Sequence, residues 1–223
     1  MAVGPRRLLS AALLALVGMA VLPSVARAAG NTPAWAAGLG PLRIVGPTGR
    51  PRDLALYRPD GSIDATALQA FAEAAAPPDQ PVVMLPKRLV QLVVKAAHHF
   101  GAARVEIVSG WRSGGGPHGR AEAVDFRLSG VDYRKLAAYL RGLPRVGVGV
   151  YTHRRTRYVH LDVRERSYHW LDASPPRRHW KEMRLRDPKQ AKRDASYTPE
   201  MDLPSDQSQA ASKTGKPPKS RKR

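Results

Sequence analysis

Three stretches of the chain carry apolar residues at helical spacing. Leu68, Phe71 and Ala75 do so over 65–76, and Leu89, Leu92, Val93, Ala96 and Ala97 over 86–100. The third is the amphipathic run VDYRKLAAYLR over 131–141. Asp64 stands where a helix N-cap belongs, 77-PPDQP-81 stops the first helix, and Gly142 ends the third. Other stretches alternate with period two. In 104-RVEIVSG-110, Val105, Ile107 and Ser109 alternate with Arg104, Glu106 and Val108, which predicts a strand. Strands are likewise predicted at 122-EAVDFRL-128, 146-VGVGVY-151 and 157-RYVHLDV-163, the last two joined by a polar, arginine-rich turn. The start, 41–64, shows two short apolar runs broken by Gly-Pro-type turns, with Asp60-Gly61 as a second turn. Helices and strands are interspersed, with an antiparallel pair at the end. The expected class is α+β, a small antiparallel sheet with flanking helices.

The two ends depart from this pattern. Residues 1–28 place Arg6 and Arg7 before an apolar run from Leu8 to Val25, and Ala26 and Ala28 give a small-x-small cleavage pattern. That is the pattern of a secretory signal peptide, so export is expected, with no transmembrane span after cleavage. Residues 29–40 read as a linker, 41–182 as the domain, and 183–223 as a disordered basic tail, poor in apolar residues. The chain has no cysteine. Disulfides, thiolate zinc ligation, cysteine nucleophiles and a cysteine-borne lipid anchor are therefore excluded. The formal charge is +19. For an exported chain, the polyanions such a charge attracts are anionic lipids and acidic wall polymers rather than nucleic acid. The basic tail is expected to hold the protein to the anionic envelope.

Seven histidines are candidates for chemistry. His98 and His99 end a predicted helix, and His169 and His179 sit in a Trp-rich segment, where packing or surface roles are expected. His118 differs, because it follows Gly114–Gly116 and Pro117 and has no core around it. Asp125 lies between Val124 and Phe126 in a strand, where a carboxylate needs a cation or hydrogen-bond donors. In 158-YVHLDV-163, Tyr158, His160 and Asp162 share one face and Val159, Leu161 and Val163 the other. Two imidazoles, one carboxylate and an open position suit a catalytic zinc, which acidifies a bound water and polarises a carbonyl. From the residues alone, a strand-edge His160 with a separately salt-bridged Asp125 is an equal alternative.

The order SGWRS, HGRAEAVD, GVGVY, YVHLD resembles the zinc D-alanyl-D-alanine peptidases and murein endopeptidases, which share the hedgehog signalling-domain fold. The nearest branch in pattern is the exported murein endopeptidase type. The resemblance covers roughly residues 41–172. It implies that His118, Asp125 and His160 are the zinc ligands and that Arg112 sits beside the site to hold a carboxylate or oxyanion. It further implies hydrolysis of peptidoglycan stem peptides or cross-links. The family's general base has no counterpart here. Asp162 is the first candidate for it, with an orienting role toward a ligand imidazole as the alternative, and His153 in the arginine-rich turn is the second. The chain also departs from the pattern at Gly116, where the family has serine, at Ala121, where it has glycine, and in the short loop 113–117. A non-catalytic zinc-containing, peptidoglycan-binding module of the same fold is the alternative function.

Overall fold

The computed structural model describes residues 1, 33, 35–36, 38–176, 178 and 182–204. The signal-peptide reading falls outside them, apart from residue 1, as do residues 205–223 of the tail. Every described element belongs to one compact unit, Asn31–Arg223.

Eight strands form one mixed sheet. They are β1 (Leu42–Val45), β2 (Pro51–Leu54), β3 (Arg104–Ser109), β4 (Ala123–Leu128), β5 (Val146–Tyr151), β6 (Tyr158–Val163), β7 (Tyr168–Asp172) and β8 (Glu182–Arg184). Their order is β2-β1-β3-β4-β6-β5-β7-β8. The neighbours pair antiparallel except β1 with β3 and β5 with β7, which are parallel. The α+β class holds, with a larger sheet than the sequence predicts. Helices α1 (Ala65–Ala75), α2 (Lys87–His99) and α4 (Tyr133–Arg141) pack against one face of it, and α3 (Gly116–Gly119) is a single turn in the glycine loop. Asp64 caps α1 as expected, its Oδ1 accepting from the Thr66 amide at 2.7 Å and the Ala67 amide at 3.3 Å.

The helix-covered face holds the core. Val105, Ile107, Val124, Phe126, Val148, Val159 and Leu161 meet Phe71, Leu89, Leu92, Val93, Leu136 and Leu140 there, all buried. Because strand side chains alternate, residues between these point to the opposite face. Register aligns Asp125 with His160 and His160 with Gly149, and Asp162 with Ala123 and Gly147. The polar row expected along β6 is thus joined by rows from β4 and β5.

Two expectations change. Alternation put Ser109 with Val105 and Ile107, but the ladder shifts between Ile107 and Ser109, so Ser109 pairs with Asp125. A bulge inserts one extra residue and turns Ser109 to the polar face. The expected boundary at 183 also moves. β8, α5 (Gln190–Ala195) and a 3-10 turn (Pro199–Asp202) continue the fold to residue 204. This strap is fastened mainly by polar groups, with Leu185 packed against the core. Asp194 accepts from the Arg145 amide at 2.6 Å, the Ser167 amide at 2.8 Å and the Ser167 hydroxyl at 2.6 Å. Buried Asp202 accepts from Arg88 Nε at 2.9 Å and from the Tyr197 hydroxyl at 2.7 Å. Within the expected linker, Trp35 packs edge-on against Tyr57.

Candidate metal centre

The glycine loop delivers His118. Gly114 (φ 128°) and Gly116 (φ 75°) adopt positive φ, which glycine takes without steric penalty. The loop then tightens into α3, which turns the imidazole inward until it is 5% exposed. Strand β4 delivers Asp125 and β6 delivers His160, each 4% exposed. Their side chains converge. His118 Nε2 lies 3.2 Å from Asp125 Oδ1 and 3.1 Å from His160 Nδ1, and His160 Nδ1 lies 2.9 Å from the same carboxylate oxygen.

The outer contacts assign the protons. His118 Nδ1 is 2.7 Å from the Gly110 carbonyl, which can only accept, so Nδ1–H donates. His160 Nε2 is 3.0 Å from Asp162 Oδ2, again an acceptor, so Nε2–H donates. In the neutral imidazoles, His118 Nε2 and His160 Nδ1 therefore both present lone pairs toward each other and toward Asp125. Three electron-rich atoms about 3 Å apart repel unless positive charge lies between them. Tetrahedral ligands at about 2.0–2.2 Å from zinc lie roughly 3.3 Å from one another, so this triangle fits the ion. The electrostatics agree. Burial opposes ionisation of Asp125, but its close contacts with the His118 and His160 imidazoles hold its carboxyl well below the usual range. Burial also opposes a charged His160, yet Asp125 and Asp162 push it up to about 8. The centre favours a cation by construction.

Asp162 is buried behind His160, on the far side of the ring from the triangle. Arg164 binds both of its oxygens. That is the orienting arrangement of a carboxylate behind a metal-bound histidine, so Asp162 is not placed as a general base. His153 stays in the β5–β6 turn, its Nδ1 accepting from the Arg155 amide at 3.3 Å. Arg112 lies beside the triangle. Its Nη1 is 2.8 Å from Ser109 Oγ and 3.7 Å from Asp125 Oδ2, and its side chain is 55% exposed. The ring of Trp170 packs 5.0 Å from that of His160. Gly149 makes room for it: a Cβ there would meet the Trp170 ring at 2.5 Å. A Cβ on Gly147 would strike the Asp162 carboxylate. The VGVGV pattern of β5 is therefore apolar on the core face and empty on the site face. Tyr151 and Tyr158 stack at 4.5 Å on the same face. Burial and the nearby charge of Asp125 raise both phenols above their ordinary range, so they remain hydrogen-bond donors.

The roles of Gly110 and Arg164 were not anticipated from sequence. A backbone carbonyl has no sequence signature, and Arg164 lies one residue past the end of β6.

Residues 65–162 match the family model of peptidase M15. The matched segment contains all three triangle residues, Arg112 and Asp162, and it ends before β7 and the strap. The match supports the zinc peptidase family that the motifs resemble, without resolving the murein endopeptidase branch. M15 peptidases depend on zinc, and His118, Asp125 and His160 are the group among the described residues able to hold a metal ion. No curated protein and no solved structure matches the chain.

Proposed function

We propose that the protein is an exported zinc peptidase that hydrolyses amide bonds in peptidoglycan peptides. The observation that carries this reading is the buried His118–Asp125–His160 triangle, with both imidazole lone pairs turned inward by Gly110 and Asp162. Zinc held by these three residues supplies Lewis acidity for an amide carbonyl and for water. The chain supplies the rest. Gly110 and Asp162 fix the tautomers, and Arg164 fixes Asp162. Arg112, anchored on Ser109 and Asp125, keeps its remaining N–H groups toward solvent, where a substrate carboxylate or developing oxyanion can accept from them. Tyr158 offers a neutral phenolic donor on the same face. Export rests on the signal-peptide pattern, and the basic C-terminal residues would hold the protein to the anionic envelope.

A second reading, a non-catalytic zinc-containing module that binds wall peptides, is favoured by one observation. Asp162, the first candidate base, is committed to His160 and Arg164. Mass spectrometry of peptides released from sacculi separates the two. The peptidase releases fragments, a chelator abolishes release, and His118→Ala lowers it to background. Zinc-bound protein that retains wall peptides yet releases nothing would establish the second reading.

A further inference from the structure

The exposed arginines of the β6–β7 turn and the strap are not used by the metal centre. Arg166, Arg184 and Arg186 are all exposed and line a cleft of about 1020 Å³. Its lining comes from residues 165–167, from the segment 184–195 and from Arg145. An adjoining cleft of about 890 Å³ shares Arg145, Glu165 and Arg166 with it and reaches Asp162. The acids in the first cleft are already committed. Asp187 pairs with Arg193, Asp194 accepts from Ser167 and the Arg145 amide, and Glu165 stands 3.5 Å from Arg145. Among the described residues, Arg166 and Arg186 have no acidic partner, and Arg184 lies only against the Tyr168 ring, 5.2 Å from its centroid. Among the described residues, the cleft therefore presents three guanidinium groups without an acidic partner, drawn from two segments of the chain.

We propose that this cleft is a second binding site, for a linear chain bearing phosphate groups. Guanidinium forks bind phosphate oxygens in pairs. A phosphate is tetrahedral and spreads its acceptor oxygens in three dimensions, so it can accept from both segments at once, whereas a carboxylate keeps its acceptor sites in one plane. The concavity selects a chain, because a flat bilayer cannot enter it. The two segments that carry these arginines lie outside the stretch that matches peptidase M15, whereas Arg145, which also lines the cleft, lies within it. The strong net positive charge of the chain draws such ligands in, and the cleft adds local recognition.

The test uses the full-length, zinc-loaded protein and a short inorganic polyphosphate chain, with affinity measured by calorimetry across a salt series. The triple variant R166A/R184A/R186A is expected to bind about tenfold or more weakly, with a salt slope reduced by roughly one per guanidinium removed. Its zinc content stays at the wild-type level, which certifies the fold. A variant removing equal charge elsewhere, R50A/K87A/K135A, at exposed positions that do not line the cleft, keeps most of the affinity. Glu165→Gln tightens binding by removing the acid at the shared rim. Polyphosphate affinity that is unchanged in the arginine triple overturns the site. Polyglutamate of matched charge binding as tightly as polyphosphate overturns the phosphate assignment. Phosphatidylglycerol vesicles outcompeting the chain overturn the linear ligand in favour of a membrane surface.

Discussion

At the residue scale, the centre depends on groups that set direction rather than supply ligands. The three residues of the triangle were legible because each broke its local pattern: a histidine in a glycine loop, and a charged or polar side chain inside an apolar strand. What alternation could not reveal was the bulge after Ile107, which brings Ser109 beside Asp125 and gives Arg112 its anchor. Nor could sequence decide between the two roles open to Asp162, since both require a carboxylate on that face. Ala121 is a strained position that the sequence did flag, as the place where the family pattern has glycine. It adopts φ 61° immediately before β4. A left-handed conformation costs a non-glycine residue about 1 kcal/mol. Ala121→Gly should therefore raise stability by roughly that amount, less the entropy glycine loses on folding. Urea unfolding measures it, and a loss of stability would show that the methyl's packing outweighs the strain.

At the element scale, α1, α2, α4 and the four central strands followed their periodicity closely, because each buries one apolar face. β8 and the strap were missed for the complementary reason. β8 has three exposed residues, and the strap is held by Asp194 and Asp202 rather than by apolar spacing. Composition then resembles disorder while the hydrogen bonds impose order. Asp194 also supports Arg145, whose φ of 53° precedes β5. Asp194→Ala leaves the Arg145 and Ser167 amides without their acceptor, and the expected cost is about 2 kcal/mol. Faster proteolysis of residues 182–204 should accompany it. Wild-type stability and wild-type cleavage in this variant would show that the strap does not depend on Asp194.

At the scale of the whole molecule, acid should weaken the fold through His169. This residue is buried on the core face of β7, and among the described residues its Nε2 has no hydrogen-bond partner. Burial, followed by the charges of Arg141 and Arg193 and only partly offset by Asp187 and Asp194, lowers it to about 4. The unfolded chain takes that proton near 6.5. Between about 6.5 and 4 the unfolded state thus binds more protons, and stability falls as pH falls through that window. Comparison of urea midpoints at pH 7 and 4.5 should show a larger loss for wild type than for His169→Gln. Equal losses would remove His169 as the cause.

The central claim is that one divalent ion is gripped by His118, Asp125 and His160, oriented from behind by Asp162. Zinc affinity by chelator competition, on wild type and single alanine variants, tests it most directly. The account predicts one zinc per chain in the wild type, loss of tight binding in H118A, D125A and H160A, and a weakening of about 10–100-fold in D162A. One equivalent held at wild-type affinity after any of the three ligand substitutions would contradict it.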